Sequence, residues 1–141
     1  MATYGNLPVY KQTYDLLLHF FRVSQNMERD YKFTIGESLK KEIIELIVNV
    51  YRANCHTSKI ALIEAARENT EVIRLMLRLL HDLKQIGLKE FVYSNGMLES
   101  VSKQLSAWHR SRINKSNDNT ERDVFEGQSP GGLFAFQESA G

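Results

Sequence analysis

Apolar residues recur at helical spacing through most of the chain. Tyr10, Tyr14, Leu17, Leu18 and Phe21 follow at i, i+4, i+7, i+8 and i+11, which puts them on one face of an α-helix. Asn6 suits the cap of this first helix, and Pro8 falls in its first turn, where a missing N–H costs least. The helix is expected to end near Met27, with Arg29–Ile35 as a short connection and Gly36 opening the second helix. There Leu39, Ile43, Leu46, Ile47 and Val50 repeat the spacing, with Lys40, Lys41, Glu42 and Glu45 on or beside the other face, and the helix should close near Cys55. Thr57 or Ser58 is the expected cap of a third helix. Its seam reads Leu62, Ala66, Asn69, Ile73, Met76, Leu80 and Leu83, alternating steps of four and three, over about 28 residues up to a terminating Gly87. The fourth helix restarts at Leu88 and carries Phe91, Leu98, Val101, Leu105 and Trp108, with a weak point at Ser94–Asn95–Gly96.

After Ile113 the periodicity stops, and residues 114–141 are rich in Ser, Asn, Gly and acids. The organisation predicted is therefore a bundle domain, 1–113, and a flexible acidic tail, 114–141. One apolar patch, Leu133–Phe134–Ala135–Phe136, stands out in that tail, either as a short docking motif or as an incidental run. No period-2 segment stands out. Short connections make sequential helices antiparallel neighbours, so the fold class is all-α, an up-down-up-down antiparallel four-helix bundle.

Composition changes this picture little. Hydrophobic residues are 43% of 141 and charged residues 25%, with only two prolines and eight glycines. Those values fit a globular domain built of long regular elements. A single cysteine, Cys55, excludes an internal disulfide framework and a cysteine-based zinc cage. No apolar run reaches membrane-spanning length and Met1–Pro8 does not read as a signal peptide, so a cytoplasmic protein without membrane contact is expected. The net charge of +1 conceals an asymmetry: residues 1–115 hold 17 basic and 12 acidic side chains, and residues 116–141 hold one and five. A basic body can attract a polyanion that an acidic tail screens, or the tail can simply solubilise the chain.

The third helix carries more apolar surface than one bundle face needs. Between Val72 and Leu80 only Arg74 and Arg78 are polar, and the second helix crowds Ile43, Ile44, Leu46, Ile47, Val48 and Val50 together. Excess apolar surface on a helix predicts a partner, here self-association, with Ile44, Val48, Leu75, Leu77 and Leu79 as interface candidates. Arg74 and Arg78 share a stripe with Arg67, Glu71, Asp82 and Gln85. That stripe is either solvated and laced with weak ion pairs, or it places two guanidinium forks beside a subunit contact or a polyanion. Catalytic chemistry is not in view. His19, His56, His81 and His109 have no glutamate three residues before them, as a di-iron bundle requires. There is no His-Glu-x-x-His helix and no phosphate-binding glycine loop, and the neighbours Cys55 and His56 are a weak pair. No catalytic residue, metal ligand or cofactor is assigned.

Several segments, in order, resemble the accessory variability determinant (Avd) proteins of diversity-generating retroelements. They are Val9–Leu17 (VYKQTYDLL), Phe33–Lys40 (FTIGESLK), Glu45–Leu46–Ile47 with Tyr51–Arg52–Ala53–Asn54, Arg74–Leu75–Met76–Leu77–Arg78 with Asp82–Leu83, and Lys103–Gln104–Leu105 with Trp108. The resemblance covers about residues 7–112. A wider relative is the four-helix bundle family encoded in intervening sequences of bacterial 23S ribosomal RNA genes. Its Asn-Ile-Ala-Glu-Gly-like segment is replaced here by Ala53–Asn54–Cys55–His56–Thr57–Ser58. The Avd resemblance implies a non-enzymatic homo-oligomer, a pentameric barrel. Such a protein binds a reverse transcriptase and its template RNA or cDNA and supports mutagenic cDNA synthesis. In such a ring the candidate phosphate or partner contacts are Arg52, Arg67, Arg74, Arg78, Lys84, Lys103, Arg110 and Arg112. Trp108, Tyr10 and Tyr14 read as core anchors. The alternatives are a ribosomal intervening-sequence-type bundle and a plain oligomeric scaffold without nucleic-acid contact.

Overall fold

A computed structural model describes residues 8–126, with side chains through residue 118. Four helices account for most of it: α1 (Pro8–Ser24), α2 (Glu37–Cys55), α3 (Ile60–Asp82) and α4 (Leu88–Glu126). No strand occurs among the described residues, in agreement with the all-α four-helix reading. The chain divides into two compact units, Met1–His109 and Arg110–Gly141, and the bundle is the first.

Partner positions show the direction of each neighbour. From α3 to α4, His81 stacks on Phe91, Arg74 binds Glu99 and Glu64 meets His109. One number falls as the other rises, so the two helices run antiparallel. The same holds for α1 and α4, through His19 with Tyr93 and Gln12 with Ser100 and Gln104. Between α2 and α3 a buried Asn69 accepts from Asn49 Nδ2 at 2.8 Å and donates to Glu42 Oε1 at 2.9 Å. Polar groups in such a seam are costly unless paired, so this network favours one register of α2 against α3.

The core is one cluster drawn from all four helices. It contains Leu16 and Phe20, then Leu39, Ile43, Leu46 and Val50, then Ala66, Ile73, Leu77 and Leu80, then Leu98, Val101 and Leu105. Trp108 packs half-buried on its edge. In α1 the buried face is Val9, Thr13, Leu16, Phe20 and Ser24, one position away from the face expected. Thr13 and Ser24 can be buried because their hydroxyls donate to the carbonyls of Val9 (2.7 Å) and Phe21 (3.0 Å). Tyr14 is therefore exposed rather than a core anchor, and Tyr10 is half-buried.

Helix ends differ from expectation in four places, each for a local reason. The connection after α1 is helical: a turn at Arg29–Tyr31 continues as a π-helical turn, Lys32–Gly36. Gly36 is buried there, and a Cβ would lie 3.3 Å from the Tyr31 carbonyl oxygen and 3.4 Å from Met27 Cε, which leaves little room for a side chain. Helix α3 starts at Ile60 and neither Thr57 nor Ser58 caps it. The N-cap position falls instead to Lys59, which is buried with its Nζ 5.9 Å from the Trp108 ring centre. Helix α3 ends at Asp82, before Gly87. Lys84 takes φ 60°, its N–H bonds the His81 carbonyl, and the Gln85 N–H bonds the Leu80 carbonyl, both at 2.9 Å. That is a Schellman cap built on lysine instead of glycine. Finally, α4 passes Ile113 and continues to Glu126, so residues 114–126 are helical and not part of a loose tail. Loss of apolar periodicity therefore does not mark loss of helix here. The expected Asn6 cap and the patch Leu133–Phe136 lie outside the described residues.

Candidate interaction surfaces

The eight basic candidates separate into groups that sequence spacing did not distinguish. Arg74 is committed inside the bundle. It bonds Glu71 on its own helix at 2.6 Å and Glu99 on α4 through Nε at 2.9 Å and through Nη2. The Glu71 hydrogen bond, helped by Glu99 and opposed by partial burial, holds the guanidinium above its ordinary pKa. Arg67 is also engaged: its Nη1 donates to His109 Nδ1 at 3.2 Å, so His109 presents Nε2–H to Glu64 at 3.1 Å. Arg78 is largely exposed, with Asp82 at 4.0 Å as a weak partner. These three arginines line the α3/α4 seam, where two open grooves of about 430 and 400 Å³ lie.

Arg52, Lys84 and Lys103 are exposed and make no ion pair among the described residues, but they sit on α2, on the α3–α4 turn and on α4 respectively. One copy of the bundle thus gathers three candidates along a seam and spreads three over other faces. Arg110 is exposed and Arg112 half-buried, both on the second compact unit. Residue counting missed Lys11, Arg22 and Lys89, which are exposed and likewise make no ion pair among the described residues. Arg22 and Lys89 flank a groove of about 440 Å³ between α1 and α4, over His19 and Tyr93. His19 packs against Tyr93 with the rings tilted by 57° and their centres 4.6 Å apart, and its buried Nε2 has no hydrogen-bond partner among the described residues. Burial pushes its pKa below 6.5, against the pull of Glu90 at 3.6 Å. Only the register of α1 against α4, which sequence spacing does not contain, brings these residues together.

The interface candidates also divide. Ile44, Val48, Leu75 and Leu79 are exposed, Leu75 by 67%. Leu77 is 1% exposed and belongs to the core, which corrects its assignment to an interface. A helix apolar nearly all round turns only one arc inward, and the seam facing α2 and α4 takes Leu77 rather than its neighbours. Two aromatic surfaces were not anticipated: Tyr14, Leu18 and Phe21 on α1, and Tyr51 on α2, are exposed as well. Among the described residues no cluster of three His, Cys, Asp or Glu side chains is placed to hold a metal ion, and no helix is long and apolar enough to cross a membrane.

The model of the family described as bAvd-like matches residues 7–112, well over half of the chain and the whole of the bundle. No curated protein matches the sequence.

Proposed function

The chain belongs to the bAvd-like family, and from that membership we propose a non-enzymatic accessory function. The protein acts in the cytoplasm as an oligomeric scaffold, a pentameric barrel as the Avd resemblance implies. It holds the reverse transcriptase of a diversity-generating retroelement and its template RNA or cDNA while mutagenic copying proceeds. The observation that carries this reading is the family match across all four helices. Exposed leucines, isoleucine and aromatic residues on α1, α2 and α3 support self-association. Arg52, Lys84 and Lys103, exposed and without an ion pair among the described residues, support contact with phosphates. A ring of copies multiplies such scattered cations into a broad positive surface, which suits backbone contact without base reading.

The test is retention of labelled template RNA, and of the purified reverse transcriptase, at two salt concentrations. Expected is RNA binding that falls steeply between about 50 and 200 mM salt, as phosphate contacts require. Expected too is capture of the polymerase by wild-type protein. Absence of both at low salt overturns the proposal in favour of a plain interaction scaffold.

A further inference from the structure

Two unlike apolar surfaces stand on different faces of the bundle. The first spans α1 and α2. Along α1, Lys11, Tyr14, Leu18 and Phe21 lie at i, i+3, i+7 and i+10, all exposed. Along α2, Lys41, Ile44, Val48 and Tyr51 do the same. Lys40 Nζ sits 4.6 Å from the Phe21 ring centre, which brings the end of α1 to the start of α2; counted from there along antiparallel helices at an equal rise per residue, Leu18 falls about level with Ile44 and Tyr14 with Val48. Half-buried Tyr10, Leu17 and Ile47 continue the surface inward to the core. Six large side chains at 37–46% exposure leave roughly 450 Å² of apolar area in one patch. That is about the apolar centre of a standard interface, some 800 Å² per partner. The second surface is a single ridge on α3. Glu68, Val72, Leu75, Leu79 and Asp82 follow at steps of four, three, four and three, with Leu75 at its crest.

Their charges are complementary. Exposed cations stand at both ends of the α1/α2 face, Lys41 at one and Arg52 with Lys11 at the other. Lys41 and Arg52 are separated by about 16 Å along the helix axis. The ridge ends in acids at both ends, Glu68 and Asp82, about 21 Å apart by the same rise per residue. Long basic side chains span that difference.

We propose that the α3 ridge of one copy docks into the α1/α2 face of a second copy, Leu75 and Leu79 entering between the two apolar stripes. The contact is therefore head-to-tail rather than two-fold, and it leaves each copy with one free face and one free ridge for further copies. This rests on the self-association proposed above and names its two surfaces.

Light scattering of single variants and their mixture tests it. Val48→Glu breaks the face and Leu75→Glu breaks the ridge, both at exposed positions, and circular dichroism checks that each variant stays folded. Expected is association weakened about 100-fold in each alone, as for loss of a central apolar anchor. An equimolar mixture should form a heterodimer, since the intact ridge of the first fits the intact face of the second. A folded variant that keeps the wild-type mass, or a mixture that stays monomeric, overturns the pairing of these surfaces while self-association stands. Monomeric wild-type protein overturns self-association itself.

Discussion

Leu75 and Leu77 are two residues apart on one apolar helix, and the structure assigns them opposite roles. Leu77 is 1% exposed in the shared core. Replacing it by alanine removes buried methyl groups and leaves a cavity between helices, at a cost of about 3 kcal/mol. With a urea slope of about 1.5 kcal/mol per M for a domain of this size, the unfolding midpoint should fall by about 2 M. Leu75 is 67% exposed, so only about a third of its side chain is removed from water within one copy. Its truncation costs about 0.5 kcal/mol on that basis, partly offset by the better helix propensity of alanine. The assay is urea unfolding followed by circular dichroism at two protein concentrations about 100-fold apart. Leu77→Ala should lower the midpoint at both. Leu75→Ala should lower it chiefly at the higher one, because a contact made on association stabilises by mass action. Equal costs for the two variants at the lower concentration, or a cost below about 1 kcal/mol for Leu77→Ala, would refute this division of α3.

The remaining expectations concern caps, networks and pH. Lys84→Gly should stabilise by about 0.5–1 kcal/mol in thermal unfolding, because it relieves a left-handed lysine, φ 60°, without touching the cap hydrogen bonds. Gly96→Ala should stabilise by a similar amount, about 0.5–1 kcal/mol, since a Cβ there meets nothing within 4 Å in the middle of α4. Asn69→Ala should destabilise by about 1–3 kcal/mol in chemical denaturation by leaving the Asn49 and Glu42 side chains without their buried partner. His19 has a folded-state pKa depressed mainly by burial, so the unfolded chain takes up the proton first. Its contribution is present above pH 6.5 and is lost as pH falls from there through the folded pKa; His19→Gln should flatten that part of the stability–pH profile measured by urea midpoints.

Much of this architecture is written in local periodicity. Spacing of apolar residues determined four helices and most of the α2 and α4 core faces, because burial against one neighbouring layer forces a 3.6-residue repeat, and the short connections determined their antiparallel order. It also showed that α3 carries apolar residues beyond the need of one core. Where two arcs of a helix are both apolar, periodicity has no means of choosing between them. The tertiary structure made that choice in α1, turning Leu16 and Phe20 inward and Tyr14, Leu18 and Phe21 outward, and in α3, burying Leu77 and exposing Leu75. Helix register against neighbours likewise decided which cations were engaged by other side chains. Arg74 meets Glu99 and Arg67 meets His109 across more than twenty residues of chain, whereas Arg52 and Lys103 make no ion pair among the described residues. Those pairings depend on distances between helices, and such distances arise only when the whole core closes.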